Sequence, residues 1–252
     1  MCEQFVARAA TPFRLAELWP LAERMEEWGS ARFGWGATWL TPDGTLATHR
    51  DIGRFRDDRR LETLGAIETT SLLVHLRRPS RLSTLALPDT QPFDDPAGRF
   101  AFSHNGDLLD YKPHRARYRA QGRIQGRADS EVGQRWLEDA WSDAEPVGHL
   151  LGALHDAFGG EANLAVITAG GACHHYAGNP ENPVFTYRLG SIGLASTAIY
   201  SVDRSLFKYA AKGATDKALV RLHATVALDA AGRPTEAGAP GAARRARSIP
   251  QS

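Results

Sequence analysis

Apolar positions recur along this chain in two rhythms, and the switches between them outline its elements. Leu15, Leu18, Trp19, Leu21, Ala22, Met25 and Trp28 recur at three- and four-residue steps, the stripe of an amphipathic helix. Pro20 falls inside that stripe and is expected to kink or split it. Helical patterns return over residues 130–141 and 147–158, with Asp129 standing where a side chain caps a first turn. Short β-rich apolar runs occupy residues 3–8, 34–40, 69–76, 99–103, 164–168, 173–176, 184–189, 192–196 and 219–228. Pro42-Asp43-Gly44 predicts a hairpin turn with residues 45–48 returning, and Asn105-Gly106 reads as a tight turn closing the strand at 99–103. This order lacks the strand–helix alternation of a parallel doubly wound sheet, so antiparallel sheets layered with helices fit better. Residues 232–252, rich in Ala, Gly, Pro and Arg without periodicity, are expected to form a disordered tail.

Composition narrows the classes. The chain has 252 residues, 42% hydrophobic and 23% charged, an ordinary globular make-up for one large domain or two small ones. A formal net charge of +1 gives no global field for nucleic acid or a membrane surface. No apolar run nears the roughly 20 residues that span a bilayer, and the N-terminus lacks a signal-peptide pattern. Cys2 and Cys173 are the two cysteines, which is no disulfide framework and suits a reduced, cytoplasmic setting. In Cys173-His174-His175 strand alternation leaves only Cys173 and His175 on one face, so neither metal nor cofactor is expected. The basic run Lys112, His114, Arg115, Arg117, Arg119, Arg123 and Arg127 reads as a solvated helix face; a docking surface for an acidic partner is the functional alternative.

The chemistry gathers at the start of the chain. Removal of Met1 would leave Cys2 carrying a thiol and a free α-amine, and such an amine titrates near roughly 7.7 to 8.0. One residue would then hold a nucleophile and its proton acceptor. Four islands follow in order: Met1-Cys2; Val74-His75-Leu76-Arg77-Arg78-Pro79-Ser80; Phe102-Ser103-His104-Asn105-Gly106-Asp107; and Arg127-Ala128-Asp129-Ser130-Glu131. Together they resemble the glutaminase domain of class II glutamine amidotransferases, members of the N-terminal-nucleophile hydrolases. Gly34-Trp35-Gly36 resembles a strand of the small, stand-alone members. The resemblance covers most of residues 2–200.

The resemblance implies an α+β, four-layer αββα sandwich of two antiparallel sheets flanked by helices, formed by residues 2–231. It implies that Cys2 attacks the side-chain amide of glutamine or of a γ-glutamyl small molecule, releasing ammonia or an amine through a thioester that water then hydrolyses. Asn105 and the Gly106 N–H would hold the oxyanion, Arg77 the substrate α-carboxylate and Asp129 its α-ammonium, with Ser80 adding a hydrogen bond. Nothing beyond residue 200 has the length of a synthase domain, so the ammonia is expected either to pass to a separate synthase subunit or to be released by a simple γ-glutamyl amide hydrolase. A catalytically silent interaction module on the same fold is the alternative from another class. Two departures touch the pocket: Phe33 replaces the Asp found before Gly-Trp-Gly in small members, and Arg78-Pro79 intervenes between Arg77 and Ser80.

Overall fold

Strand β1 (Glu3–Arg14) is buried on both faces from Glu3 to Val6, which fits a strand with neighbours on both edges and layers above and below. The computed structural model describes residues 1–199 and 205–236, and places β1 at the centre of a seven-stranded sheet. The other elements follow in order: α1 (Trp19–Trp28), β2 (Trp35–Leu40), β3 (Leu46–Asp51), α2 (Leu61–Gly65), β4 (Glu68–Leu76), β5 (Phe93–Asp94), β6 (Phe100–Leu108), α3 (Tyr111–Ala120), α4 (Asp129–Ala140), α5 (Val147–Phe158), β7 (Gly160–Thr168), β8 (Cys173–Tyr176), β9 (Val184–Leu189), β10 (Ile192–Thr197), α6 (Leu206–Ala210), β11 (Thr215–Leu219), β12 (Thr225–Leu228) and β13 (Pro234–Glu236). One sheet has the order β11-β9-β10-β1-β4-β2-β3 and the other β13-β12-β8-β7-β6-β5. Their paired strands are antiparallel.

Strand alternation sorts the core into three layers. Phe5 and Ala7 of β1 join Leu18, Leu21 and Met25 in a core between the first sheet and its helices. Phe100, Phe102 and Leu108 of β6 join Val132, Leu137, Leu151 and Leu154 between the second sheet and α3–α5. Val6, Leu73, Ala101, Ala165, Ile167 and Ala195 meet between the two sheets. The molecule is therefore the four-layer α+β sandwich that the resemblance implies.

Several local readings change. Pro20 is the second residue of α1, where a missing N–H costs nothing, so it starts the helix rather than kinking it. A 3₁₀ turn over Leu15–Glu17 takes the beginning of the apolar stripe. Asn105-Gly106 is not a turn: β6 runs on to Leu108, with Asn105 opposite Asn163 and Gly106 opposite Ala162 on β7. Asp129 opens α4 instead of capping it, Ala128 holding the N-cap position. Residues 219–228 divide between β11 and β12. The basic run lies on and after α3, where Arg117 and Arg123 pair with Asp139 of α4, and Arg123 also with Glu138. Of the stretch read as a tail, Pro234–Glu236 pairs with β12, and residues 237–252 lie outside the described residues.

Candidate active site

The first residues of β1 carry the thiol into a cleft between the ends of the two sheets. Glu3 pairs with Leu76 on β4, so Cys2 and Arg77 follow at adjoining strand ends. The Cys2 sulfur accepts the Arg78 backbone N–H at 3.3 Å and lies 3.5 Å from the Arg78 carbonyl oxygen. Burial pushes the Cys2 thiol pKa up; the Arg78 N–H, the chain's own ammonium and Arg77 pull against that rise. Burial also lowers the pKa of the Met1 ammonium, with Cys2 acting in the opposite sense. A weaker base beside a thiol that holds its proton more tightly disfavours transfer of that proton to the Met1 amine.

Cys2, Arg77, Ser80, Gly106 and Asp129 all line one cleft of about 580 Å³. Arg77 is 3% exposed, yet it makes no salt bridge among the described residues. Its Nη2 donates to the Thr84 carbonyl at 2.5 Å and to Thr84 Oγ1 at 2.9 Å, while Nη1 has no partner. A buried guanidinium held by one amino group with the other unpaired is an anion site in waiting. Asp129 Oδ2 accepts the Leu108 N–H at 2.8 Å, tying the start of α4 to the end of β6. The loop before it is shaped by Asp89, whose Oδ1 accepts the backbone N–H groups of Arg127 and Ala128 at 2.5 and 2.6 Å. Ser80 is exposed on the rim.

Asn105 is fully buried, does not line the cleft surface itself, and both its Nδ2 and Oδ1 are without partners. By alternation it shares the inter-sheet face with Ser103 and Ala101. Ser103 Oγ donates to Gln4 Oε1 at 2.6 Å and lies 2.7 Å from His75 Nδ1, and Gln4 Nε2 lies 3.3 Å from His175 Nε2. Gln4 therefore fastens β1 to the second sheet two residues beyond Cys2. Gly106 has φ of +139°, and a Cβ there would stand 1.6 Å from the Glu161 carbonyl oxygen. Its lack of a side chain serves the β6–β7 pairing, a reason distinct from approach to a substrate.

Sequence reasoning missed Thr84, Asp89, Gln91, His104 and Ser130. The first three sit in the Pro- and Asp-rich connection between β4 and β6, where no periodicity marks them. His104 and Ser130 lie inside motifs already singled out, next to Asn105 and Asp129. Cys173 and His175 do share the inter-sheet side of the fold, Cys173 Sγ lying 3.5 Å from the Ala7 carbonyl oxygen. Among the described residues, His49, Asp51 and Asp58 bring three ligand atoms within 4.8 Å of one another. Asp58 is already engaged there by His49 at 2.7 Å and by the Trp35 indole at 3.2 Å, and none of the three lines the cleft. Phe33, 41% exposed, donates its N–H to the Arg77 carbonyl at 2.9 Å, and Arg78 Nη1 donates to Ser30 Oγ at 3.2 Å.

No family model matches the chain, and no curated protein matches it by sequence. Solved structures do. A glutamine phosphoribosylpyrophosphate amidotransferase from B. subtilis, complexed with ADP and GMP, superposes with a TM-score of 0.71 at 15% identity over 94% of this chain and 49% of that one. A structure described as the allosteric regulatory enzyme of purine biosynthesis gives 0.70 at 16% identity, over 90% and 47%. A glutamine aminotransferase class-II domain protein from Silicibacter pomeroyi gives 0.58 at 18% identity, over 92% and 97%. The chain thus spans about half the length of the first two and nearly the whole of the third. It has the N-terminal-nucleophile hydrolase fold, the fold of class II glutamine amidotransferases. Among the described residues no helix is long and apolar enough to cross a membrane.

Proposed function

We propose that this chain is a cysteine-dependent amidohydrolase of the class II glutamine amidotransferase type, acting on glutamine or a γ-glutamyl amide, with residues 2–231 as its catalytic domain. The observation that carries the reading is the meeting of Cys2, a buried Arg77 with an unpartnered Nη1, Gly106 and Asp129 in one cleft. Arg77 and Asp129 present opposite charges, the complement of a free amino-acid end with its carboxylate and ammonium. That demand separates glutamine and γ-glutamyl compounds from amides in general.

In the proposed reaction Met1 is first removed, and the α-amine of Cys2 takes the thiol proton as sulfur attacks the amide carbon. The C–N bond breaks, the proton passes to the leaving nitrogen, and ammonia or an amine departs from a thioester. Water, deprotonated by the same amine, then attacks the thioester carbon, releasing the carboxylate and restoring the thiol. The Asn105 amide and the Gly106 N–H are the proposed donors to the oxyanion in both halves; the unpartnered Nδ2 of Asn105 supports this role. Ser30 Oγ, 3.4 Å from the Met1 carbonyl oxygen, stands beside the peptide bond to be cut. The released ammonia would go to a separate synthase subunit or, in the stand-alone version, to solvent; two free thiols suit a reduced, cytoplasmic compartment for either.

Intact-mass measurement of the purified chain, with glutamate release assayed for wild type and Cys2→Ala, tests this. A mass lacking Met1 and activity abolished by the substitution are expected. A retained Met1 with no release of glutamate from glutamine or γ-glutamyl amides would leave the silent module as the better reading.

A further inference from the structure

One more side chain in the cleft ends on a buried atom with no partner. His104, on β6, lines the cleft while being 1% exposed, and its Nε2 has no hydrogen bond. Its other nitrogen, Nδ1, lies 2.9 Å from Ser130 Oγ. The ring's tautomer follows from Gln91. Gln91 Oε1 accepts the His104 backbone N–H at 2.6 Å, so Nε2 is the donating end of that amide. That end donates to the His104 carbonyl at 3.1 Å and to Ser130 Oγ at 3.3 Å. Among the described residues Ser130 Oγ has no acceptor other than His104 Nδ1, so its hydrogen is directed there. Nδ1 is then the acceptor, and the ring proton sits on the unpartnered Nε2. Burial lowers the pKa of His104, opposed by the charges of Asp129 and Asp107.

We propose that His104 Nε2–H is a fixed hydrogen-bond donor to the α-carboxylate of the bound amino-acid end, beside Arg77, with Ser130 and Gln91 as its positioning residues. The inference rests on the function proposed above. An amino-acid end offers one group that only donates, the ammonium, and one that only accepts, the carboxylate. Asp129 meets the first. The second needs donors, and the cleft holds two buried ones without partners, Arg77 Nη1 and His104 Nε2–H. A neutral ring supplies the hydrogen without setting a cation against the ammonium.

The test uses the full chain bearing Cys2→Ser and ¹⁵N-labelled histidine. Without ligand, the His104 resonances should report the Nε2–H tautomer. Saturating L-glutamate should shift the Nε2–H signal, whereas saturating 4-aminobutyrate, which lacks the α-carboxylate, should leave it in place. An Nδ1–H tautomer, or glutamate binding with an unmoved signal, overturns the proposal alone. No glutamate binding at all overturns the function reading, and this inference with it. In the active protein, His104→Phe and Ser130→Ala should each raise KM for glutamine, by about tenfold or more for His104→Phe, with a smaller effect on kcat. His104→Gln, which keeps a donor, should recover part of the loss; an unchanged KM in a folded His104→Phe protein refutes the assignment.

Discussion

At the residue scale, the cleft is a set of buried polar atoms left without protein partners, and each invites a measurement. Asn105 is the clearest, because a buried amide with two idle ends costs stability unless something else repays it. Under the proposed chemistry Asn105→Ala should lower kcat about 10²- to 10³-fold, the usual cost of one oxyanion donor, with a smaller change in KM. Steady-state kinetics decide, and a variant with normal kcat would remove Asn105 from the reaction. Arg77 differs, since it would hold the substrate's end equally before and during reaction. Arg77→Ala should therefore act mainly on KM. Thr84→Val, which spares the Thr84 carbonyl bond but deletes the hydroxyl one, should raise KM by about two- to tenfold.

At the scale of elements, β6 carries most of the burden. One strand presents Phe102 and His104 toward the helices and Ser103 and Asn105 toward the other sheet, then reaches Gly106 and Asp107 at the cleft. Asn105-Gly106 is legible in the sequence as a signal, but the turn it suggests is wrong. The same permissive glycine serves a strand whose partner's backbone comes too close for any Cβ. Gly106→Ala should consequently lose at least about 2 kcal/mol of folding stability as well as activity. The shift in denaturation midpoint measures it; a stable Gly106→Ala protein would contradict the packing described. Asp129 shows the same limit. Its place before a helical pattern suggests a cap, whereas its side chain reaches back to Leu108 across the gap between α4 and β6.

Across the whole molecule, His75 and His175 fasten the two sheets through Ser103 and Gln4, and they, with the half-buried His174, stay neutral. Burial pulls His174 and His175 down to about 4, and His75 well below its usual value. The unfolded chain binds protons at these side chains near pH 6.5, and the folded one does not until the pH is far lower. The unfolded state thus holds more protons between about pH 6.5 and 4, so stability rises with pH through that window. Denaturant melts should show progressive loss of stability on acidification from pH 6.5 toward 4, and His175→Gln should flatten part of the slope. A stability flat across that range would show that the histidines are not buried neutral.

The resemblance singled out Cys2, Arg77 and Asp129; the order of strands and helices, the antiparallel class and the helical stripe ending at Trp28 were readable from residues alone, because periodicity and residue type are local properties. Which charges are paired was not. Arg117 and Arg123 look as free as Arg77 along the chain, yet α3 and α4 bring them to Asp139 while Arg77 keeps an idle nitrogen in a cleft. The tautomer of His104 and the crowding at Gly106 depend likewise on residues far away in the chain, Gln91 and Ser130 for one, Glu161 for the other. Local pattern chooses the elements; long-range packing decides which polar atoms are satisfied and which are left to bind something else.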